Sequence, residues 1–432
     1  MYRQSEDVSA CRESGSLTAA GHTLISAAER LSGMASGTDA AAEPETLTFE
    51  STVRAIEGRR VRLERTYFYP ESGGQPADEG TLCGIDVVDV QRNADGIEHV
   101  LAGDPSLAVG DRVAGEIDEA VRTYHRRAHT ASHIVYGAGR RLIDASGYGG
   151  FDIGPERIRL DFETDATVED VDPLAFQRLA NEVVWEDRAV TWGDMDVEAA
   201  RADADIVFNV DDAAAATGAV RIVEVDGWDV SACGGTHVRS TAEIGPIKFL
   251  ECSNPGSGLL RIEYAVGPPA IERQLAETEA AAAAADRLDT GIEGLPARAE
   301  ALQAERDSLR ATVSALTDRL LAARLDALAD RTVEHDGREW LVGTVDSVDA
   351  NAVADFLRGA DRGADVVVLV GGDDTTFVVV AGGDPAPPAV VEAITARFGG
   401  GGGGGPSLAQ GGGVDADPED VVEALRTGDL EW

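Results

Sequence analysis

Two histidines spaced one helical turn apart are the first residues in this chain that could do chemistry. The stretch HRRAHTASHIVYG places His129 and His133 four residues apart, and residues i and i+4 lie on the same face of a helix. Two imidazoles on one face can begin a metal site. The protease version of this spacing carries a glutamate directly after the first histidine as general base, but Thr130 stands there. His125, one turn earlier, is interpreted as a surface or substrate-facing histidine and not as a ligand.

A second pair with ligand spacing lies about a hundred residues further along the chain. In SACGGTHVRST, Cys233 and His237 are four apart, and the glycine pair between them allows a tight turn that brings both side chains to one point. Either pair alone is more often a solvated or core pair. Both pairs in a chain with seven histidines give three imidazoles and one thiolate, a donor set that suits tetrahedral zinc. We therefore predict one Zn²⁺ per chain, held by His129, His133, Cys233 and His237.

A third segment combines a glycine pair with a glutamine. It reads TYFYPESGGQPADEG and begins at Thr66. At Gly73 and Gly74 the backbone must pass close to another group or adopt a positive φ, and Gln75 offers both a donor and an acceptor. Taken alone, an ordinary hairpin turn is the better interpretation of this segment.

The charge of the chain indicates a protein suited to high salt. The net charge is −41 over 432 residues, and Lys248 is the only lysine. The acidic residues lie within segments that also show apolar patterning. We therefore interpret them as a halophilic surface, because charges are screened within about 3 Å at 1 M ionic strength. Molar salt also removes most of the counterion-release contribution to nucleic-acid binding, so the acidity does not exclude an RNA partner.

The remaining bulk features favour a reduced, cytoplasmic protein. No apolar run approaches the roughly 20 residues needed to span a membrane, and the N-terminus lacks the pattern of a signal peptide. The four cysteines are too few and too scattered for a disulfide framework. Cys83 and Cys252 are interpreted as ordinary buried thiols.

Changes in composition and patterning divide the chain into five segments. Short alternating strands predict a barrel near the N-terminus, and Ala/Leu/Glu/Arg-rich stretches predict a helical arm. Met34 reads as an alternative start, which leaves open whether residues 1–33 are translated. The expected fold class is α+β. The predicted segments are a disordered extension (1–45), a small β-barrel (46–117), a mixed α+β metal-binding domain with a histidine helix at roughly 119–145 (118–267), a helical hairpin or coiled-coil arm (268–330) and a small α/β domain (331–432).

In combination, these motifs resemble the editing domain of alanyl-tRNA synthetase and its free-standing relatives, the AlaX proteins. TYFYPESGGQ, HTASH, ACGGTH, STAEIGPIKF and LLRIEYAVG carry the resemblance in the right order, over about residues 47–267. The glycine-rich FGGGGGGGPSLAQGGG resembles the hallmark of the DHHA1 domain. Because only about 46 unpatterned residues precede the barrel, the long form of AlaX is the expected member.

The resemblance implies roles for particular residues. It implies that the four ligands bind zinc and that Thr66 and Gln75, with the glycine pair, line a pocket for the misattached amino acid. In the C-terminal domain it implies tRNA contact, which we assign to Gly402, Gly403 and Gln410, and pairing of subunits into a homodimer. Relatives usually carry Arg or Lys among these glycines, whereas residues 399–405 are unbroken glycine here.

The expected reaction is hydrolysis of the 3′ aminoacyl ester of tRNA(Ala) mischarged with serine or glycine. A hydrophobic pocket rejects an added hydroxyl only about 10²-fold, so an editing site must instead bind the serine hydroxyl. Thr66 suits this task, since alanine would leave it unpaired at a cost of roughly 1–3 kcal/mol. Whether zinc is catalytic or structural stays open at this point.

Three other functions share part of this pattern of residues. A zinc-stabilised tRNA- or RNA-binding protein without catalysis would carry the same ligands. Threonyl-tRNA synthetase editing domains share a similar HxxxH…CxxxH pattern, but the SGGQ segment and the glycine-rich tail favour alanine. A DHH-type phosphoesterase is excluded because the chain has no Asp-His-His motif.

Overall fold

The computed structural model describes residues 38–208, 218–256, 258–372 and 375–430. The chain divides into two compact units, with the boundary between Ala281 and Ala282. Among the described residues, no helix is both long and apolar enough to cross a membrane. The alternative start at Met34 and the predicted extension up to residue 37 lie outside the described residues.

The first unit contains a closed barrel of six antiparallel strands, in the order β1-β2-β5-β4-β3-β6. Buried residues such as Val53, Leu82 and Leu101 fill its interior. The predicted barrel and the mixed α+β class are thus confirmed, while the domain boundaries stay predictions. The strands are β1 (Thr48–Glu57), β2 (Arg60–Leu63), β3 (Gly80–Leu82), β4 (Ile85–Asn93), β5 (Gly96–Leu101) and β6 (Arg112–Ile117).

One turn of this barrel corrects an expectation about a cysteine. Cys83 and Gly84 form the two-residue turn between β3 and β4, and both have positive φ, at 50° and 79°. Turns of this kind match the twist of the flanking strands and project from the sheet. Cys83 is therefore exposed and not buried. Cys252 is half-buried, and burial raises the pKa of its thiol.

Residues 38–45, expected to belong to a disordered extension, are held against the barrel. The Asp39 N–H donates to the Thr66 carbonyl at 2.9 Å, and the Thr38 hydroxyl donates to the Phe68 carbonyl at 2.7 Å. Ala40 is fully buried. These contacts are mostly with main-chain groups, which any sequence provides.

The rest of the first unit consists of two four-stranded sheets and a long central helix, α1 (Glu119–Leu142). Asp118 caps α1 by accepting from the N–H groups of Ala120 and Val121. Ile134 and Tyr136 pack α1 into the largest core cluster. One sheet contains β13 (Ile247–Gly256), β14 (Leu259–Val266), β8 (Ile158–Glu163) and β7 (Gly147–Ile153), and the other contains β10 (Ile206–Phe208), β12 (Asp229–Ala232), β11 (Ala219–Val225) and β9 (Val190–Asp196), with helices α2 (Pro173–Trp185) and α3 (Val197–Ala202).

Two long helices follow where the arm was predicted. They are α4 (Pro268–Arg287) and α5 (Leu295–Leu328), separated by a 3₁₀ turn at Ile292–Gly294. The boundary between the two units falls within α4. Pairing of these helices as a hairpin or coiled coil stays a prediction.

The second unit contains a six-stranded mixed sheet with helices packed against it. β16 and β17 are parallel, and the other pairs are antiparallel. Valines of β17 and β18 form its buried centre. The strands in spatial order are β15 (Val333–His335), β16 (Arg338–Val345), β17 (Val366–Gly371), β18 (Thr376–Gly382), β20 (Leu408–Val414) and β19 (Gly401–Gly405), and the helices are α6 (Ala350–Gly359), α7 (Pro387–Phe398) and α8 (Pro418–Thr427).

Candidate metal centre

The two predicted ligand pairs meet in the core of the first unit. His129 and His133 come from α1, and Cys233 and His237 come from the loop after β12; their ligand atoms all lie within 4.8 Å of one another, and all four residues are buried. Cys233 Sγ is 3.3 Å from His129 Nε2 and 3.4 Å from His237 Nε2. Tetrahedral zinc, with bonds of about 2.0–2.1 Å to nitrogen and about 2.3 Å to sulfur, separates such atoms by roughly 3.5 Å. The donor set and its spacing fit a zinc ion.

Each of the three imidazoles is oriented by a hydrogen bond at its other ring nitrogen. His129 Nδ1 donates to Gln75 Oε1 at 2.9 Å, and His133 Nδ1 lies 2.7 Å from Asp229 Oδ2. This arrangement directs the Nε2 lone pairs toward the cluster. Metal-binding histidines generally have such partners, which fix the tautomer and the ring orientation. The four side chains are therefore arranged as a group that could hold a metal ion.

Thr130, which occupies the position of the protease glutamate, orients the third imidazole, that of His237. Its hydroxyl donates to the Arg126 carbonyl at 2.9 Å and is therefore free to accept from His237 Nδ1 at 3.2 Å. It also accepts from the Val238 N–H at 3.1 Å. Sequence reasoning missed the roles of Thr130 and Asp229, because no local spacing relates either residue to its histidine.

The electrostatics of the cluster favour an anionic sulfur. Burial raises the pKa of the Cys233 thiol, but the neighbouring His129 and His237 outweigh burial and hold that pKa well below its usual value. Burial also holds the pKa of His237 well below its usual range, which keeps this imidazole neutral. Burial lowers the pKa of His133, yet its hydrogen bonds to Asp229 and Cys233 prevail and raise it to about 10. Zinc binds a thiolate and neutral imidazoles, so Cys233 and His237 are already in the binding form, whereas His133 would release a proton when it binds the metal.

Glycines create the space that the cluster needs. A Cβ on Gly235 would lie 2.1 Å from the His129 ring, whereas one on Gly234 would meet nothing within 4 Å. Gly235 is thus required for close approach and not only for the tight turn that the sequence suggested. Gly74 combines a φ of +79° with a Cβ position 2.2 Å from the Phe151 carbonyl oxygen, and the Phe151 ring lies 5.0 Å from the His129 ring.

Gln75 is part of the support of the metal cluster. It is fully buried. Besides the bond from His129, its Oε1 accepts from the Thr236 N–H at 3.0 Å, and its Nε2 donates to the Thr236 hydroxyl at 3.0 Å. The SGGQ segment therefore connects directly to the ligand loop, 161 positions away. Its role in contacting an amino acid stays a prediction.

Thr66 is held by a histidine of the barrel that sequence reasoning did not single out. His99 Nδ1 faces the Val61 carbonyl at 3.0 Å and must donate to it. His99 Nε2 is consequently an acceptor, and the Thr66 hydroxyl donates to it at 2.8 Å. The Thr66 oxygen also accepts from the Phe68 N–H at 3.2 Å. The single hydroxyl proton of Thr66 is thus committed, and only acceptor capacity remains.

The other predicted site residues lie in different surroundings. His125 is buried, at 7% exposure, and its Nδ1 has no hydrogen-bond partner among the described residues. Gly402 and Gly403 lie in the exposed strand β19, and Gly403 pairs with Gln410 of β20. Gln410 Nε2 donates to Asn351 Oδ1 at 3.3 Å. RNA contact by this hairpin stays a prediction.

Comparisons with known proteins agree with the motifs. The family described as the second additional domain of threonyl and alanyl tRNA synthetases matches residues 220–263, and the family described as class II (A) tRNA synthetases matches residues 22–121. Alanine–tRNA ligase of Pyrococcus abyssi is 32% identical over 338 residues, which make up 76% of this chain and 36% of that protein. The corresponding enzyme of Ignicoccus hospitalis is 30% identical over 334 residues, with the same shares.

These sequence matches confirm the predicted resemblance to alanyl-tRNA synthetase. The chain spans about a third of the length of these relatives, at 36% in each case. Among solved structures, the C-Ala domain of Aquifex aeolicus alanyl-tRNA synthetase matches at 25% identity with a TM-score of 0.20, covering 22% of this chain and 95% of that domain.

Proposed function

We propose that this chain is a zinc-dependent trans-editing hydrolase of the AlaX type, which removes serine or glycine from mischarged tRNA(Ala). The observation that carries the proposal is the bond between His129 and Gln75. It joins the predicted amino-acid pocket to the predicted metal ligands. The resemblance to alanine–tRNA ligases suggests a tRNA as the substrate, and the aminoacyl ester at its 3′ end is the bond to be hydrolysed.

The committed proton of Thr66 gives a physical basis for selecting serine. Because Thr66 donates to His99, it can only accept from a bound substrate, and a serine hydroxyl can donate to it. Alanine could not make this additional bond to the Thr66 oxygen, which already accepts from the Phe68 N–H, so the expected advantage of serine is about 0.5–1.5 kcal/mol. Glycine lacks the hydroxyl as well, so serine is expected to be the preferred misacylated amino acid.

Four protein ligands favour a positioning role for the metal. A site with four protein ligands is closed, whereas a catalytic zinc site keeps one position open for water. When bound, zinc would supply a Lewis acid and a fixed positive charge. Gln75, Thr130 and Asp229 orient the imidazoles that would hold it. In this proposal the metal shapes the pocket or anchors the amino or ribose group of the substrate.

A second candidate, a zinc-stabilised tRNA-binding protein without catalysis, is favoured by the same closed ligand set. The two candidates differ in ester turnover. Strong tRNA binding without hydrolysis of any mischarged tRNA(Ala) would support the second candidate. Substitution of Thr66 by alanine would then leave tRNA binding unchanged.

Deacylation of Ser-tRNA(Ala) in high KCl is the test of the first candidate. We expect hydrolysis by the native chain, sparing of Ala-tRNA(Ala), and loss of activity in His133→Ala and Cys233→Ala. Cys252→Ala is the matched control, since this half-buried thiol lies outside the cluster. Unchanged rates in the first two variants would disprove the ligand assignment, and a native chain inactive on every mischarged tRNA(Ala) would disprove the function.

A further inference from the structure

Residues 38–45, which we call the strap, contact three of the segments that surround the metal cluster. The strap presents main-chain carbonyls to side chains from these segments. The Ala41 carbonyl accepts from Arg221 at 2.8 Å, the Ala42 carbonyl from Trp192 Nε1 at 3.2 Å, and the Pro44 carbonyl from Arg122 at 3.0 Å. Two of these donors are Arg221 and Arg122, and the other nitrogens of each guanidinium donate to groups of the site itself.

Arg221 connects the strap to the cysteine ligand. One terminal nitrogen of its guanidinium donates to Ala41, and the other donates to the carbonyl of Cys233 at 2.7 Å. The guanidinium is planar and its donors are fixed relative to one another. This one group therefore sets the separation between the strap and the backbone of the residue that supplies the sulfur.

Arg126 makes the equivalent connection to the histidine of the same loop. Its Nε donates to the His237 carbonyl at 3.0 Å, and its Nη2 lies 3.3 Å from the Glu45 carboxylate at the end of the strap. Glu45 also pairs with Arg239 at 3.0 Å. Both loop ligands thus have a main-chain carbonyl held by an arginine that is bound to the strap.

Arg122 connects the strap to the SGGQ side of the site. It is fully buried, donates to the Tyr67 carbonyl at 2.6 Å and forms a buried ion pair with Asp78. Tyr67 follows Thr66, and Asp78 lies three residues after Gln75. The strap is therefore bonded, through three arginines, to the pocket segment and to both loop ligands.

We propose that the strap is a positioning device for the metal loop, with Arg221 and Arg126 as its positioning residues. The inference rests on the proposed metal site. Each arginine acts through the main-chain carbonyl of a ligand residue. Loss of groups that orient metal ligands typically lowers metal affinity about 10–100-fold, and we expect a loss of this size when an arginine loses its donors.

The test measures zinc affinity in the full-length chain by competition with a chromophoric chelator in high KCl. Arg221→Met and Arg126→Met keep the aliphatic stem and remove the donors, and we expect each to weaken zinc binding about 10–100-fold. Arg324→Met is the matched control, because Arg324 is half-buried and donates to the Thr344 carbonyl in the second unit. It should change zinc affinity less than about twofold.

Cobalt substitution distinguishes positioning from a general loss of stability. A displaced Cys233 should shift the thiolate-to-cobalt absorption of the Arg221→Met variant under conditions where circular dichroism shows it to be folded. Native affinity and an unshifted spectrum in both arginine variants would overturn the inference. A native chain that binds no zinc would overturn the metal site itself, which is a separate result.

Glu45→Gln provides a milder variant in case the arginine variants do not fold. Glu45 is about half exposed, at 48%, and the change preserves its shape while removing its charge. We expect this substitution to weaken zinc binding a few-fold. The effect should be smaller in molar salt, because exposed ion pairs are screened. Glu50→Gln, which removes the charge of an exposed pair with Arg112, should have no effect. Equal effects of the two substitutions would contradict the role of the strap.

Discussion

Thr130 accepts a hydrogen bond from Nδ1 of His237, 107 positions further along the chain, at 3.2 Å. The hydroxyl proton of Thr130 is used on the Arg126 carbonyl of the preceding turn, so the direction of the bond to His237 is fixed. Where the protease motif has a general base, this helix has a residue that orients a ligand supplied by another segment. The two halves of the proposed metal site are thus connected to each other through protein groups.

Thr130→Val tests this connection. Valine has the shape of threonine but cannot accept from His237, whose ring would lose its fixed tautomer and orientation. We expect zinc affinity to fall about 10–100-fold, as is usual when such a supporting bond is removed. Thr130→Ser keeps the hydroxyl and should retain most of the affinity. Equal zinc affinities for the two variants, measured by chelator competition, would show that the hydroxyl is not needed.

The glycine pair of the ligand loop gives a second test, in which two neighbouring residues should behave differently. A Cβ at position 235 would overlap the His129 ring, at 2.1 Å, whereas position 234 is open. Gly235→Ala should therefore displace His129 and abolish tight zinc binding. Gly234→Ala, on the same loop, should leave zinc affinity unchanged within about a factor of three. If both variants bound zinc equally well, the close approach would not limit the site.

The clustering of His129, His133, Cys233 and His237 could be predicted from the sequence because each pair is local. His129 and His133 follow helical spacing, and Cys233 and His237 lie within one loop, so a single chain segment shows each pattern. The partners that orient the imidazoles are not local: Asp229 is 96 positions from His133. Only the packing of α1 against β12 and its following loop brings them together.

The strap could not be predicted for a different reason. Its contacts use main-chain carbonyls, which every residue has, so they leave no mark on composition or periodicity. The side chains of Ala41 and Ala42 carry no information about Arg221 or Trp192. The lack of periodicity therefore predicts disorder for the segment, although residues 38–45 pack against the barrel.

His99 should make the stability of the chain depend on pH. Burial lowers the pKa of His99 from 6.5 to about 4. The folded state keeps this imidazole neutral while the unfolded state binds a proton below pH 6.5, so stability rises with pH between these values. The contribution is complete above pH 6.5 and is lost as the pH falls to about 4; a shift of this size corresponds to about 3 kcal/mol.

The measurement is urea unfolding in high KCl at several pH values, for the native chain and for His99→Gln. Carboxylates contribute to the pH dependence of both proteins, so the difference between the two curves isolates His99. We expect the variant to lose less stability than the native chain between pH 6.5 and 4. Parallel curves would show that His99 does not carry this dependence.

The buried pair of Arg122 and Asp78 should behave differently from the many ion pairs on the surface. Both side chains have 0% exposure, and Asp78 additionally accepts from the Tyr69 N–H at 2.6 Å. Arg122→Met would leave the Asp78 carboxylate buried without its countercharge, and the loss of one partner from a buried pair typically costs about 3–5 kcal/mol. Arg112→Met removes an arginine from an exposed pair with Glu50, for which about 0–1 kcal/mol is usual.

Urea unfolding of the two single variants and of Arg122→Met/Asp78→Asn measures this contribution. Because Asp78→Asn removes the charge that Arg122→Met leaves without a partner, we expect the double variant to be more stable than Arg122→Met alone. A double variant less stable than Arg122→Met would mean that Asp78 contributes mainly through Tyr69. A loss below about 1 kcal/mol for Arg122→Met would mean that water reaches the pair, since only solvation could replace the missing countercharge.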